Sequence, residues 1–384
     1  MNDHNVKVTT PVPPATTGEG QSPSQNPVTS ITDSKPESND DFEMEQCLLY
    51  HKRISSPDYL HTVSLTELYD TAYPPKLQII DSLLCSGAYL FAGAPKVGKS
   101  FFMAQLGYHV SNGIALWDYP VHKGTVLYLA LEDVYTRLQK RLSRIFGTDG
   151  TDGFYFATHS KILGGGLDGQ LEKFTREYPD TKLIIIDTLQ KIREFGGEKG
   201  SYANDYEVVT QLKKLADKHN ICILLVHHTR KQGAEDCFET ISGTNGLLGA
   251  ADGAFIIHKE KRTDNKAVLD VVGRDQQDQR LHLLFDRERC VWQLTETETD
   301  LWVEPTDPLL EAVAGVVTPD NPEWSGSASE LVALLHGFDI QPNILTRRLN
   351  VNADRLWNEH NIRIDNTRTH AGRTVKLTLD SSTV

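Results

Sequence analysis

Residues 93–100 form the octapeptide whose residue types and spacing point most directly to a chemistry. The eight residues are Gly93, Ala94, Pro95, Lys96, Val97, Gly98, Lys99 and Ser100, and they fit the phosphate-loop pattern G-x-x-x-x-G-K-S/T. Glycines without a Cβ let successive backbone N–H groups turn toward phosphate oxygens. Lys99 can neutralise the β- and γ-phosphates, and Ser100 can hold Mg²⁺. The octapeptide therefore predicts a site for a nucleoside triphosphate and Mg²⁺.

Two apolar strands of the predicted sheet end in carboxylates that suit this chemistry. The run 183–186 is followed by Asp187, and the run 126–131 is followed by Glu132 and Asp133. Neighbouring parallel strands end around one crevice of a sheet, so these carboxylates are expected beside the loop. We assign Asp187 to a water on Mg²⁺ and Glu132 to activation of the attacking water. Asp133 can instead cap the helix that follows.

A pair of histidines ends the last predicted parallel strand. His227 and His228 precede Thr229, and a polar side chain at this position can contact the γ-phosphate and sense its hydrolysis. We assign that role to His228. Adjacent histidines also suit a metal site, but no third ligand stands nearby at a suitable spacing, which disfavours that interpretation.

Apolar runs and helix-forming segments alternate through residues 88–226, which predicts a doubly wound, mostly parallel α/β sheet. The predicted strands are Ala88–Ala92, Thr125–Ala130, Phe154–Ala157, Lys182–Ile186 and Ile221–Val226. The predicted helices are Lys99–Ser111, Val134–Phe146, Asp168–Glu177 and Asp205–His219. Strands separated by turn residues then predict an antiparallel extension at Ala254–His258, Ala267–Val272, Arg280–Phe285 and Cys290–Leu294.

Composition and charge set the broad class of the protein. The chain has 384 residues and a net charge of −13, which argues against non-specific binding of nucleic acid by the chain as a whole. No apolar run approaches the ~20 residues of a membrane span, and the N-terminus lacks the apolar stretch of a signal peptide. The five cysteines include no C-x-x-C pair, so neither a disulfide framework nor a zinc site is expected. We expect a soluble protein of the reduced cytoplasm.

Shifts in composition predict four regions. Residues 1–42 are rich in Pro, Thr, Ser, Asn and Gln and are predicted to be a disordered tail. The ATPase domain is predicted over 43–294, and an acidic, proline-containing linker over 295–326. Three helices and a two-stranded wing are predicted over 327–380, which is a winged helix-turn-helix. Its predicted elements are Ala328–Leu335, Pro342–Leu349, Ala353–Glu359, Ile362–Ile364 and Thr374–Leu379.

The order of these motifs resembles the RecA/DnaB superfamily of P-loop ATPases. Within it, the chain is similar to RepA-like replicative helicases of plasmids and mobile elements. The segments that carry the resemblance are Gly93–Ser100, Leu127–Asp133, Leu183–Gln190, Val226–Lys231, Ile241–Asp252 and Val271–Asp275. The resemblance implies a RecA-like motor core and a homo-oligomeric ring, commonly a hexamer, with ATP and Mg²⁺ bound at subunit interfaces.

Ring ATPases of this class complete the site with a positive group from the neighbouring subunit. The candidates are Arg274, Lys259, Lys261 and Arg262, and we select Arg274. The plasmid helicase pattern has an arginine closer to Asp252 than Arg274 is. This chain has Ala251 and Asp252 there and so departs from the pattern. The structural alternative for Arg274 is a salt bridge to Asp275 or Asp278.

Two loops that follow strand ends face the central channel in RecA-like rings, and basic residues there would track a single strand of DNA. The predicted contacts are Lys191, Arg193, Arg230 and Lys231. In the winged helix, the predicted DNA contacts are Arg347, Arg348 and Arg355 on helices and Arg368 and Arg373 on the wing. Plain solvent exposure is the alternative for the loop charges, and a winged helix can also bind protein.

The leading hypothesis is an ATP-hydrolysing DNA motor that translocates on single-stranded DNA and unwinds a duplex. The alternative is an ATP-gated, oligomeric regulator that binds duplex DNA through residues 327–380 without unwinding it. A metabolic phosphotransferase is a weaker interpretation, because the sequence shows no site for a small acceptor.

Overall fold

The computed structural model describes residues 58–148, 150–193, 202–229, 238, 241, 246–261, 263–299, 304–369 and 372–380. The predicted tail, the predicted DNA contacts Arg230 and Lys231, and the candidate Arg262 lie outside the described residues. The chain divides into two units, residues 1–64 and residues 65–384, and every element below belongs to the second.

A nine-stranded mixed sheet forms the centre of the second unit. A short hairpin of β1 (Gln78–Ile80) and β2 (Leu84–Cys85) precedes it. The sheet strands are β3 (Gly87–Gly93), β4 (Thr125–Ala130), β5 (Phe154–Ala157), β6 (Thr181–Asp187), β7 (Cys222–His228), β8 (Gly253–His258), β9 (Lys266–Gly273), β10 (Gln279–Asp286) and β11 (Val291–Thr297). Their order across the sheet is β11-β10-β9-β8-β3-β7-β6-β4-β5. The strands from β8 to β5 pair in parallel, and β9 to β11 form an antiparallel extension. The prediction that β8 belongs to this extension is corrected, because β8 pairs in parallel with β3 and is antiparallel only to β9.

Helices cover both faces of this sheet. They are α2 (Lys99–Asn112), α3 (Tyr135–Phe146), α4 (Leu167–Glu177), α5 (Tyr202–His219) and α6 (Gly246–Ala250). The short helix α1 (Leu65–Asp70) precedes the hairpin and buries none of its residues. In β6, Leu183 and Ile185 join the core beneath α2, whereas Ile184 and Ile186 join the core on the other face. Alternate burial on two faces explains why this strand is a continuous apolar run. The predicted strands and helices of residues 88–294 are present, with ends that differ by no more than three residues, and the predicted α/β core with its mostly parallel sheet is confirmed.

The register of the central strands brings their carboxyl ends to one edge. Gly93 at the end of β3 pairs with His228 of β7 on one side and with Ile257 of β8 on the other. Ala130 at the end of β4 pairs with Asp187 at the end of β6. Side chains at the ends of these strands therefore surround the loop that begins at Gly93.

The C-terminal module has its own apolar core and more elements than predicted. They are α7 (Pro308–Ala314), β12 (Glu323–Ser327), α8 (Ala328–Leu334), α9 (Pro342–Val351), α10 (Ala353–His360), β13 (Ile362–Thr369) and β14 (Gly372–Leu379). The strands form a sheet in the order β12-β14-β13. Because Leu309, Leu310 and Val313 of α7 lie in this core, the boundary predicted at residue 327 is corrected, and much of the predicted linker 295–326 belongs to the module. β11 also runs to Thr297, inside the predicted linker. The assignment as a winged helix-turn-helix remains a prediction.

Within the described part of the chain, no helix has both the length and the apolar character needed to cross a lipid bilayer.

Candidate functional site

The loop of residues 93–100 joins the end of β3 to the start of α2, as the motif requires. Lys96 has a φ of 66° and Gly98 a φ of 115°, so the chain turns through left-handed conformations, which glycine adopts at little cost. A Cβ on Gly93 would lie 2.6 Å from the Ile257 carbonyl oxygen, and one on Gly98 would lie 2.9 Å from the Trp292 ring. The loop opens into the first turn of α2, a 14-residue helix whose N-terminal N–H groups favour an anion.

Lys99 is buried and folds back onto its own loop. Its Nζ donates to the carbonyl oxygens of Gly93, at 2.7 Å, and Ala94, at 3.1 Å, and it lies 3.1 Å from His228 Nδ1. Burial lowers the pKa of Lys99 to about 8, against the opposing pull of the Asp187 and Glu132 carboxylates. The ammonium is thus held at the loop by weak carbonyl acceptors that an incoming phosphate can replace.

Asp187 lies beside the first turn of α2 and binds two hydroxyl groups. Ser100 Oγ donates to Asp187 Oδ2 at 2.8 Å, and Tyr128 OH donates to the same oxygen at 2.9 Å. Burial raises the pKa of Asp187, and the two hydroxyl donors oppose that change. A serine hydroxyl and one carboxylate suit Mg²⁺, which keeps several waters and takes its other oxygen ligands from bound phosphates. Ser100 and Asp187 would hold that ion, in keeping with the prediction from the sequence.

Glu132 and Asp133 have different surroundings, although they are adjacent. Glu132 is exposed at the end of β4, and its Oε1 accepts a hydrogen bond of 3.2 Å from Thr188 Oγ1. Asp133 is ion-paired with Arg137, at 3.0 Å, and Arg141, at 2.8 Å. The N-cap of α3 is Val134, without a side-chain hydrogen bond, so Asp133 pairs with arginines and does not cap the helix. Of the two carboxylates, Glu132 is the more exposed, and its assignment as the base stays a prediction.

His228 stands on the other side of the loop, on the strand that pairs with β3. Burial lowers the pKa of its imidazole, and the positive charge of Lys99 lowers it further. Because an ammonium can only donate, Nδ1 of His228 accepts from Lys99 Nζ. The predicted phosphate sensor is therefore in contact with the residue that is predicted to bind the phosphates. His227 is buried.

Sequence reasoning missed three residues that support the loop and its carboxylates: Tyr128, Thr188 and Trp292. Trp292 lies beneath Gly98, with its Nε1 3.3 Å from the Gly98 carbonyl oxygen. Gln105 of α2 binds the backbone of Trp292 in both directions, through Oε1 at 2.8 Å and Nε2 at 2.9 Å. Since Trp292 stands far beyond the loop in the sequence, only the fold connects them.

The candidates for the positive group that a neighbouring subunit would supply lie at opposite ends of the central strands. Arg274 follows β9, whose last residue pairs with Gly253 of β8, and Gly253 pairs with Tyr89 near the start of β3. Roughly 13 Å of strand separates Tyr89 from the loop at Gly93. The Arg274 guanidinium donates to the Gly249 carbonyl oxygen at 2.9 Å, and within the described residues it forms no salt bridge to Asp275 or Asp278. Arg274 therefore does not reach its own loop.

Lys259 has the opposite placement. It follows β8 at the edge of the loop, and its Nζ lies 5.2 Å from the centre of the Trp292 ring. Lys261 is exposed, and its backbone N–H donates to Asp264. Lys259 therefore lies beside its own loop and not on the face where Arg274 lies.

Most of the predicted DNA contacts with described side chains are paired within the chain. Arg193 is ion-paired with Asp205 at 2.9 Å, whereas Lys191 is exposed. In the C-terminal module the pairs are Arg347 with Asp70, at 2.9 Å, Arg348 with Asp307, at 2.7 Å, and Arg355 with Glu304 and Glu359, at 3.1 and 2.7 Å. The side chains of Arg368 and Arg373 lie outside the described part of the structure. Phosphates would have to compete with carboxylates for these arginines.

Comparison with known proteins agrees with this site. The model of a family described as "AAA domain" matches residues 57–234. The DNA repair protein RadA of Streptococcus pneumoniae is 30% identical over 174 residues, which are 45% of this chain and 36% of RadA. RadA of Streptococcus pyogenes is 27% identical over 174 residues, 45% of this chain and 33% of that protein. The chain thus spans about a third of the length of these relatives.

Two solved structures also resemble the chain. A DnaB-like replicative helicase, described with its interactions with primase, has a TM-score of 0.46 and 14% identity, over 70% of this chain and 69% of that one. The RadB recombinase has a TM-score of 0.41 and 15% identity, over 55% of this chain and 91% of that one. With a phosphate loop at the end of the central strand, flanked by these carboxylates, the chain resembles P-loop ATPases, and its match to the AAA domain model agrees with that likeness.

Proposed function

We propose that this chain hydrolyses Mg-ATP and couples hydrolysis to movement along DNA as a homo-oligomeric ring, in the manner of RepA-like replicative helicases. The observation that carries the proposal is the convergence of Lys99, Asp187 and Glu132 at the carboxyl edge of the sheet, around one phosphate loop. The similarity to RadA, a protein named for DNA repair, supports DNA as the partner.

Each side chain of the site has a distinct task in this reaction. Backbone N–H groups of the loop and the first turn of α2 bind the phosphates, and Lys99 exchanges its carbonyl acceptors for phosphate oxygens. Ser100 and Asp187 would hold Mg²⁺, which would neutralise the charge of the β- and γ-phosphates. Glu132 orients the attacking water and accepts its proton, and His228 contacts the γ-phosphate.

Two features of the single subunit support a ring, because each suits a site that a neighbouring subunit completes. Glu132 is exposed, and Arg274 is held at the far edge of the sheet. A positive group that stabilises the transferring phosphoryl is worth ~10³–10⁵ in rate when a neighbour supplies it. We propose that Arg274 serves the loop of an adjacent subunit, which a hexameric arrangement would bring beside it.

In the C-terminal module, the proposed DNA contacts are arginines that would exchange a carboxylate partner for a DNA phosphate. Arg347 and Arg348 are each partly exposed and paired with one carboxylate, so a phosphate group can replace that carboxylate. Arg355 is more deeply buried and bound by two glutamates. We therefore assign DNA contact in this module to Arg347 and Arg348 before Arg355.

A forked duplex with a fluorescent label on one strand tests the function. We expect ATP-dependent strand displacement by the full chain, and none by Lys99→Ala, because the variant lacks the phosphate-binding ammonium. Native mass spectrometry with and without ATP measures the number of subunits in the assembly and so tests for a ring. Binding of duplex DNA with ATP, without displacement and without DNA-stimulated hydrolysis, would contradict the motor and support the ATP-gated regulator.

The lowered pKa of Lys99 makes nucleotide affinity depend on pH. Phosphates favour the charged lysine, so above a pH of about 8 the protein must take up a proton as ATP binds. We expect affinity to fall about tenfold between about pH 7 and pH 9, because the charged fraction of free Lys99 falls by that factor. Calorimetry in two buffers of different ionisation enthalpy measures the proton uptake. In Lys99→Arg, whose side chain stays charged, the pH dependence should disappear; a wild-type affinity that does not change with pH would contradict the assignment.

A further inference from the structure

Tyr128 is a fully buried residue of the site to which the reaction described above assigns no role. It lies in β4, two residues before Ala130, so the side chains of both face the same side of the sheet. Ile185 and Asp187 of β6 are the register partners of Tyr128 and Ala130. All four therefore face α2, and the phenol extends along the sheet toward the Asp187 carboxylate.

The two donors to Asp187 use one oxygen. Ser100 Oγ and Tyr128 OH lie 2.8 and 2.9 Å from Oδ2, and neither of these bonds involves Oδ1. Tyr128 is 0% exposed, and its phenol O–H is a donor to Oδ2.

Ser100 cannot hold Asp187 in the same way. Its hydroxyl stands at the first turn of α2, where it is also the proposed ligand of Mg²⁺, so its orientation must suit both the ion and the carboxylate. The phenol is anchored in a strand and is not itself a proposed ligand of the ion. Asp187 is only 7% exposed, so water offers it little alternative hydrogen bonding.

We propose that Tyr128 is a positioning residue for magnesium: it holds Asp187 Oδ2 in place and leaves Oδ1 free to bind a water of the ion. The inference rests on the proposed function of the site as a Mg-ATP site. Partners behind metal-binding groups of this kind typically change metal affinity or activity by about 10–100-fold when they are removed. Tyr128 thereby tunes the magnesium requirement of the site without contact with nucleotide.

Tyr128→Phe tests the inference, because it removes the hydroxyl and keeps the ring. Binding of a fluorescent N-methylanthraniloyl-ATP is followed as Mg²⁺ is added to the full chain. We expect the Mg²⁺ concentration at half-maximal binding to rise about tenfold, with binding in EDTA unchanged. Excess Mg²⁺ should restore kcat, because the ligands themselves remain.

Tyr119→Phe is the matched control, since Tyr119 OH also donates a buried hydrogen bond, to Gln279 Oε1 at 2.8 Å, away from Asp187. It should leave the Mg²⁺ midpoint unchanged. In an Asp187→Asn background, Tyr128→Phe should add no further change, because the carboxylate that it positions is gone. An unchanged midpoint in Tyr128→Phe, or equal losses of binding in EDTA and in Mg²⁺, would overturn the proposal. If the wild-type chain itself bound no Mg-nucleotide, the proposed function would fail instead.

Discussion

Glu132→Gln should bind ATP normally and hydrolyse it about 10²–10⁴ times more slowly, the range associated with loss of a general base. The substitution removes the charge that accepts a proton from water. It keeps an oxygen that can accept the 3.2 Å hydrogen bond from Thr188 Oγ1, so the end of β4 should keep its structure. Lys99 and Ser100 remain in place to bind the nucleotide. Steady-state ATPase assays and equilibrium binding of a fluorescent ATP analogue separate these two effects.

Asp133→Asn is the matched control because it neutralises the adjacent carboxylate. Asp133 is held by Arg137 and Arg141, and its loss should affect the packing of α3 more than the rate of hydrolysis. We expect near-wild-type kcat in this variant. Slow turnover in Asp133→Asn together with normal turnover in Glu132→Gln would reverse the assignment of the base.

The contrast between these neighbours shows what a sequence predicts well. The strand ends at Asp187, Glu132 and His228 could be predicted because apolar runs reveal buried strands, and parallel strands bring their ends to one edge. Which of two adjacent carboxylates faces the site depends on the arginines of α3, whose direction is set only when that helix packs. The supporting residues Tyr128 and Trp292 required the full register of the sheet.

Stretches of charged residues predicted the structure less well than the apolar runs that mark buried strands. The arginines of the C-terminal module form a basic stretch in sequence, but Arg347 is paired with Asp70 from the other end of the unit. Similarly, the acidic stretch after residue 295 predicted a linker, although Leu309 and Leu310 within it are buried. A count of charges does not reveal which distant carboxylate or apolar core a segment will meet.

Asp252→Ala is expected to lower the free energy of unfolding by about 3 kcal/mol, as for other buried ion pairs that lose one partner. Asp252 lies where the plasmid helicase pattern has a nearby arginine that this chain lacks. In the structure its buried carboxylate binds the start of β3. Asp252 is 3% exposed. Its Oδ2 accepts from the Ala88 N–H at 2.9 Å, and its Oδ1 binds the Lys213 ammonium, with Lys76 at 3.7 Å. Removal of the carboxylate leaves the start of β3 with an unpaired N–H and Lys213 with one partner fewer.

The pH dependence distinguishes this role from simple packing. Burial alone would raise the pKa of Asp252, but the hydrogen bonds from Lys213 and Ala88 and the charge of Lys76 hold it below its ordinary value. A lowered pKa in the folded chain stabilises the fold above the ordinary aspartate pKa of about 3.9. The difference between wild type and Asp252→Ala should therefore shrink as pH falls through the lower, folded pKa.

Asp217→Ala is the control for this prediction. Asp217 also pairs with Lys213, at 3.6 Å, but its side chain is 50% exposed. Urea unfolding followed by circular dichroism should show a change within about 0.5 kcal/mol for that exposed pair; equal losses in the two variants would mean that Lys213, and not the buried carboxylate, stabilises the start of β3.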